Sequence, residues 1–194
     1  TVVSCFARDT FKRMLADFQH ELLTSTSMAN IEIPIYKVVI KGKAIAVFNS
    51  PVGAAACIAI LEDLIAFGMK KLVLFGTCGV LDEDIRETSI IVPHTAIRDE
   101  GTSYHYLPAS DEIEVNVGLR DFLRSFLAAK GISHTVGKVW TTDGIYRETA
   151  AKLRTRKDAG AICVDMECSA VAALAAFRNI PICHFFYAAD HLSE

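Results

Sequence analysis

The apolar positions of this chain fall into short β-branched runs separated by longer stretches with helical spacing. Runs at 1–6, 35–40, 44–48, 71–75, 89–92, 134–140, 162–164 and 182–189 predict strands. Spacings of three and four predict helices over 11–23, 54–67, 116–130 and 149–158, the second closed by Gly68 and the third by Gly131. A further alanine-rich helix follows residue 167, with Val171, Leu174 and Ala175 on one face and Phe177 beyond. Lys41-Gly42-Lys43 between two β-branched runs predicts a hairpin. Strands alternating with helices predict an α/β fold with a largely parallel sheet. No repeat, low-complexity tract or linker interrupts the pattern, so 1–194 is expected to be a single domain.

The chain has 194 residues, 52% of them apolar, enough to build a substantial core. A formal net charge of −3 provides no basic field for nucleic acid. The one basic cluster, Lys152-Leu153-Arg154-Thr155-Arg156-Lys157, lies on a helical pattern and is expected to be a solvated face. No apolar run is long enough to span a membrane, and no signal peptide pattern opens the chain. Six cysteines show neither C-x-x-C nor zinc-finger spacing, so no metal site is expected. Cys5, Cys57, Cys163 and Cys183 lie inside apolar runs and read as buried thiols, which favours a reducing, cytoplasmic location.

Candidate chemistry sits where strands end. The run at 162–164 passes directly into Asp165-Met166-Glu167, and the run at 182–189 ends in Asp190-His191. In α/β sheets ligands bind outside the carboxyl ends of strands, so two strands ending in carboxylates suggest a site. A helix-start charge is the plainer account of Asp165 and Glu167. The run at 71–75 leads into Gly76-Thr77-Cys78-Gly79, which reads either as a tight glycine turn or as a loop whose amides and Thr77 hydroxyl face an anion. Residues 98–106, with Tyr104, His105 and Tyr106, read as a surface loop or a pocket lining. Trp140-Thr141-Thr142-Asp143-Gly144-Ile145-Tyr146 follows another strand, and Ile145 and Tyr146 are placed to wall a flat ligand.

Taken in order, G-T-C-G at 76–79, T-T-D-G-I-Y at 141–146, D-M-E at 165–167 and A-D-H at 189–191 resemble the nucleoside phosphorylase superfamily of the purine nucleoside and uridine phosphorylase type. The resemblance runs from about residue 1 to the end. It implies a three-layer sandwich, with a central mixed sheet flanked by helices, and a pentosyltransferase of nucleoside salvage. Nucleoside plus phosphate would give free base and ribose 1-phosphate, with no metal or organic cofactor. Gly76, Thr77 and Cys78 would hold phosphate, and Met166 and Glu167 the ribose. Thr142, Asp143, Ile145, Tyr146 and Asp165 would border the base. Asp190 would be the catalytic acid at purine N7, its pKa raised by burial. Partner subunits would make a homodimer or a hexamer.

The chain departs from the pattern at several points. Leu74 stands where the phosphorylases place an arginine, and Ile145 where they place a phenylalanine. Thr149 and Ala151 replace the Gln-x-Arg reader of uracil, which favours a purine. Family segments before Thr1 and after Asp190 are not seen, so the chain is expected to lack both. Uridine phosphorolysis, hydrolysis by a methylthioadenosine nucleosidase-like enzyme, and noncatalytic nucleoside binding remain as alternatives.

Overall fold

The computed structural model describes residues 1–192. The chain runs β1 (Val2–Cys5), α1 (Arg8–Asp17), β2 (His20–Met28), β3 (Ile31–Ile40), β4 (Lys43–Asn49), α2 (Ala54–Ala66), β5 (Leu72–Val80) and β6 (Ile90–Asp99). It continues through β7 (Glu112–Glu114), α3 (Arg120–Ala129), β8 (His134–Thr142), α4 (Ala150–Asp158), β9 (Ala161–Asp165), α5 (Cys168–Arg178) and β10 (Ile182–His191). Single 3₁₀ turns cover Thr102–His105 and Ile145–Arg147.

All ten strands form one mixed sheet in the order β10-β6-β8-β9-β5-β1-β4-β3-β2, with β7 beside β6. β10 also pairs in parallel with β5, so β5, β10, β6, β8 and β9 close into a ring. β1, β4, β3 and β2 extend the sheet from β5, with β2 and β3 antiparallel. The β3–β4 hairpin turns at Lys41 and Gly42, both with positive φ (49° and 75°), as a two-residue hairpin requires. The largest core lies where α2 and α5 pack on β1, β4 and β5, with Ile58, Leu61, Leu64, Leu74, Val171 and Leu174 at or near zero exposure. A second apolar core includes Cys78, Val80, Ile91, Val139, Cys163 and Phe186 from the ring strands. All six cysteines are unpaired.

Two expectations change. Helical spacing over 11–23 does not persist: α1 stops at Asp17, and Leu22 and Leu23 lie on β2, 61% and 50% exposed. His20–Met28 is instead held by antiparallel pairing to β3, a tertiary contact that overrides local periodicity. Gly76-Thr77-Cys78-Gly79 is not a loop either. It is the second half of β5. Its glycines serve close packing rather than a turn. A Cβ on Gly76 would come within 2.7 Å of the Phe6 ring, and one on Gly79 within 2.9 Å of Leu192 and 3.1 Å of Val164.

Candidate active site

β5 changes neighbour halfway along. β1 accompanies it as far as Phe75, and β9 takes over antiparallel at Gly79. The strand at residues 77–79 borders a cleft of about 460 Å³ where β1 and β9 diverge. Its walls are Phe6 after β1, Val52 after β4, Thr77, Cys78 and Gly79 of β5, and Ile145, Tyr146 and Glu148 between β8 and α4. Val164 and Asp165 of β9, Met166, Glu167, and Asp190 and Leu192 at the end of β10 complete it. Within β5 the side chains alternate: Thr77 is exposed towards the cleft, and Cys78 turns into the core at 3% exposure.

The structure thus brings together Thr77, Cys78, Ile145, Tyr146, Asp165, Met166, Glu167 and Asp190, contributed by three strands and two connections. Gly76, Thr142 and Asp143 do not line the cleft. Gly76 lies against Phe6. Thr142 is buried, and its Oγ1 accepts the Gly144 N–H at 3.2 Å, shaping the turn. The exposed Asp143 accepts the Gly101 N–H at 2.9 Å and ties the 142–149 connection to the end of β6.

Asp165 and Glu167 behave differently from one another. The Asp165 carboxylate points inward. It accepts the Thr141 hydroxyl at 2.7 Å and the amides of Glu167 and Cys168 at 2.9 and 2.7 Å. It therefore satisfies two of the orphan N–H groups that open α5, a capping role. Burial raises its pKa to about 6, opposed by these hydrogen bonds. Glu167, also buried, makes no cap. Its Oε1 reaches 2.5 Å to the N–H of Gly53, which sits at φ 97° before α2. Burial and then the charge of Asp165 push the Glu167 carboxyl up to about 8. Glu167 is thus poised between a protonated form and the ionised acceptor that a ribose diol favours.

Asp190 corrects one expectation. It was expected to be a buried acid, but it is exposed at the rim, where β10 leaves the ring. The carboxyl with a raised pKa at this end is that of half-buried Glu148, shifted first by burial and then by the charge of Asp190. Ile145 and Tyr146 stand at the mouth, 55% and 95% exposed. Leu74 is wholly buried between sheet and helices, so no cation reaches the cleft from that position. Among the described residues lining the cleft four are carboxylic and none is Lys, Arg or His. Among the described residues no cluster of three or more His, Cys, Asp or Glu is placed to hold a metal ion.

Phe6, Val52, Glu148, Val164 and Leu192 line the cleft but carry no role in the sequence reading. Phe6, Val52 and Leu192 follow the carboxyl ends of β1, β4 and β10, where the rule that ligands gather beyond strand ends would have pointed. Glu148 has no distinguishing spacing.

The family model of the phosphorylase superfamily matches residues 12–194, so the chain belongs to that superfamily. A DeoD-type purine nucleoside phosphorylase of Bacillus cereus is 29% identical over 154 residues, 78% of this chain. The match spans 66% of that relative, just under two thirds of its length. The uridine phosphorylase of Vibrio fischeri ES114 superposes with a TM-score of 0.86 at 24% identity, covering 97% of this chain and 78% of that one. The purine nucleoside phosphorylase of Toxoplasma gondii superposes with a TM-score of 0.84 at 21% identity, covering 97% and 75%. Both solved structures share the α/β fold described above. No described helix is long and apolar enough to cross a membrane.

Proposed function

We propose that the chain cleaves the N-glycosidic bond of a purine ribonucleoside with phosphate, giving free base and ribose 1-phosphate. The observation that carries this is the convergence of Thr77, Met166, Glu167, Ile145, Tyr146 and Asp190 on one cleft. Glu167, in its ionised form, accepts the ribose 2′- and 3′-hydroxyls, and the soft Met166 thioether packs against the sugar. As the bond stretches, negative charge grows on the departing base, and a carboxylic acid at purine N7 stabilises it. Asp190 and its neighbour Glu148 supply carboxyl groups there. Thr149 and Ala151, in place of a uracil reader, support a purine over uridine. The chemistry needs no metal or organic cofactor, and the unpaired thiols support a cytoplasmic setting.

One observation favours a second reading, hydrolysis by water. Among the described residues lining the cleft the charged side chains are all carboxylic, so none of them offers a phosphate dianion a cation. Partner subunits in a homodimer or hexamer would then have to bring the cation, and apolar Val52 and Ile145 at the mouth, 61% and 55% exposed, support such a contact. Product analysis separates the two. Ribose 1-phosphate formed only when phosphate is present supports phosphorolysis; free ribose at a rate independent of phosphate identifies the hydrolase.

A further inference from the structure

We propose that the pocket between α5 and β10, floored by His184, is a second ligand site that takes an uncharged aromatic ring carrying one N–H or O–H. It shares no lining residue with the cleft and does not rest on the nucleoside chemistry proposed above.

Burial alternates along β10, so Ile182, His184 and Phe186 share one face of the strand. Ile182 and His184 meet Val171, Ala172 and Ala175 of α5 across a pocket of about 310 Å³. His184 is 1% exposed, and among the described residues neither of its ring nitrogens has a hydrogen-bond partner. Phe186 packs against the ring with centroids 4.7 Å apart, and it carries no hydrogen-bonding group. The backbone of His184, by contrast, is engaged. Asn116 Oδ1 accepts its N–H at 2.7 Å, and Asn116 Nδ2 donates to its carbonyl at 2.8 Å. Nδ2 also donates to the Pro93 carbonyl at 3.0 Å, so the buried Asn116 amide is committed to holding β10 in place. The imidazole is the buried polar group left over at the pocket floor. Unpaired, it costs stability that an aliphatic side chain of similar size would not.

The lining sets the character of the ligand. Burial holds the His184 pKa down to about 3, so near pH 7 the ring is neutral, with one N–H donor and one bare acceptor nitrogen. Exposed Glu114 is the only carboxylate, and no Lys or Arg is present, among the described residues of the lining. An anion therefore meets repulsion and no cation, and a cation would set its charge against apolar walls. Ala172, Ala175 and Ala176 present short side chains, which leaves width for a flat ring against α5. An apolar cavity of about 150 Å³ holds benzene, so this pocket has room for two fused rings. One N–H or O–H on such a ring pairs with the bare imidazole nitrogen that the fold leaves unpaired.

The test titrates the wild-type chain with indole, with indene, its isostere lacking the N–H, and with the matched pair indole-3-carboxamide and indole-3-carboxylate. Binding is read from the ring C–H signals of His184 by NMR, identified by their absence from His184→Leu. Circular dichroism confirms folding of each variant. Indole should shift the His184 signals and bind about 2- to 10-fold more tightly than indene, the worth of one neutral hydrogen bond. The carboxamide should bind more tightly than the carboxylate. In His184→Leu, followed by the ligand signals, the indole to indene ratio should fall to about one or invert. Ala175→Leu, which narrows the pocket without touching the imidazole, should weaken indole and indene alike. His184 signals that move with none of the four ligands overturn the proposal. So do equal affinities for indole and indene in the wild type, an indole preference that persists in His184→Leu, and a carboxylate that binds more tightly than its amide.

Discussion

Replacing Glu167 with Gln should make the chain more stable and less able to hold a ribose, and the two effects have separate signatures. Glu167 is buried, and its carboxyl holds its proton up to about 8, against 4.5 as the ordinary value. Between those limits the folded chain keeps a proton that the unfolded chain has given up. Stability therefore falls as pH rises from about 4.5, and the cost is complete above about 8. The full difference corresponds to on the order of 5 kcal/mol, part of which reflects Asp165, so removing the charge should recover about 2–4 kcal/mol at pH 9. For a chain of this size that raises the melting temperature by about 5–10 °C. At pH 4 both side chains are neutral and the variants should melt together. The amide oxygen of Gln can still accept the Gly53 N–H, so the local contact survives. Recognition of the ribose diol loses a charged acceptor, a cost of about 1.5–3 kcal/mol in nucleoside binding. Thermal unfolding at pH 4, 7 and 9 and nucleoside titration test both halves. A helix-start charge would be worth about 0.3–1 kcal/mol in the opposite direction. A Gln variant that melts lower at pH 9, or keeps its nucleoside affinity, refutes the reasoning.

Thr77→Ala should raise the KM for phosphate far more than that for nucleoside, because Thr77 is the exposed hydroxyl on the open edge of β5; steady-state kinetics with each substrate varied would show equal changes if it does not touch phosphate. Asp190→Asn should lower activity on inosine and adenosine by about 10²–10⁴-fold and much less on 7-methylguanosine, whose base leaves without protonation; equal losses on both would make Asp190 a positioning group. The protein should sediment as a homodimer or hexamer at micromolar concentration, burying the exposed Val52 and Ile145, and a lone monomer would contradict it.

The sheet and the cleft were legible from sequence to different degrees. The strands at 71–75, 162–164 and 182–189 were visible as largely apolar runs and that at 134–140 by its alternation, and the four motifs that follow strands placed most of the cleft. β2 was not visible. Its exposed Leu22 and Leu23 look helical in a linear window, and only pairing with β3 makes them a strand. The nature of residues 76–79 was misread for a related reason. Glycine signals a turn when the neighbours are unknown, but here Phe6, Leu192 and Val164 require its missing side chain. Local pattern does not separate Asp165 from Glu167, both carboxylates beside a helix start, and only the resemblance gave one to the base and the other to the ribose. Only the positions of Thr141 and Gly53, distant in the chain, make one a cap and leave the other facing the cleft.

The ring of β5, β10, β6, β8 and β9 has a consequence for how the protein comes into being. β5 and β10 are parallel neighbours, with Ile182 beside Leu72, more than a hundred residues apart in the chain. During synthesis β5 and β6 are made early and present unpaired edges until Ile182–His191 emerges to bridge them. Closure at so large a sequence separation is slow, and open edges are where nascent chains pair with one another. Asp190 rides on the closing strand, so the nascent chain completes its cleft in the same event that seals its barrel. A ribosome-bound chain stalled before residue 182 would therefore lack both, and would be the species most in need of a chaperone.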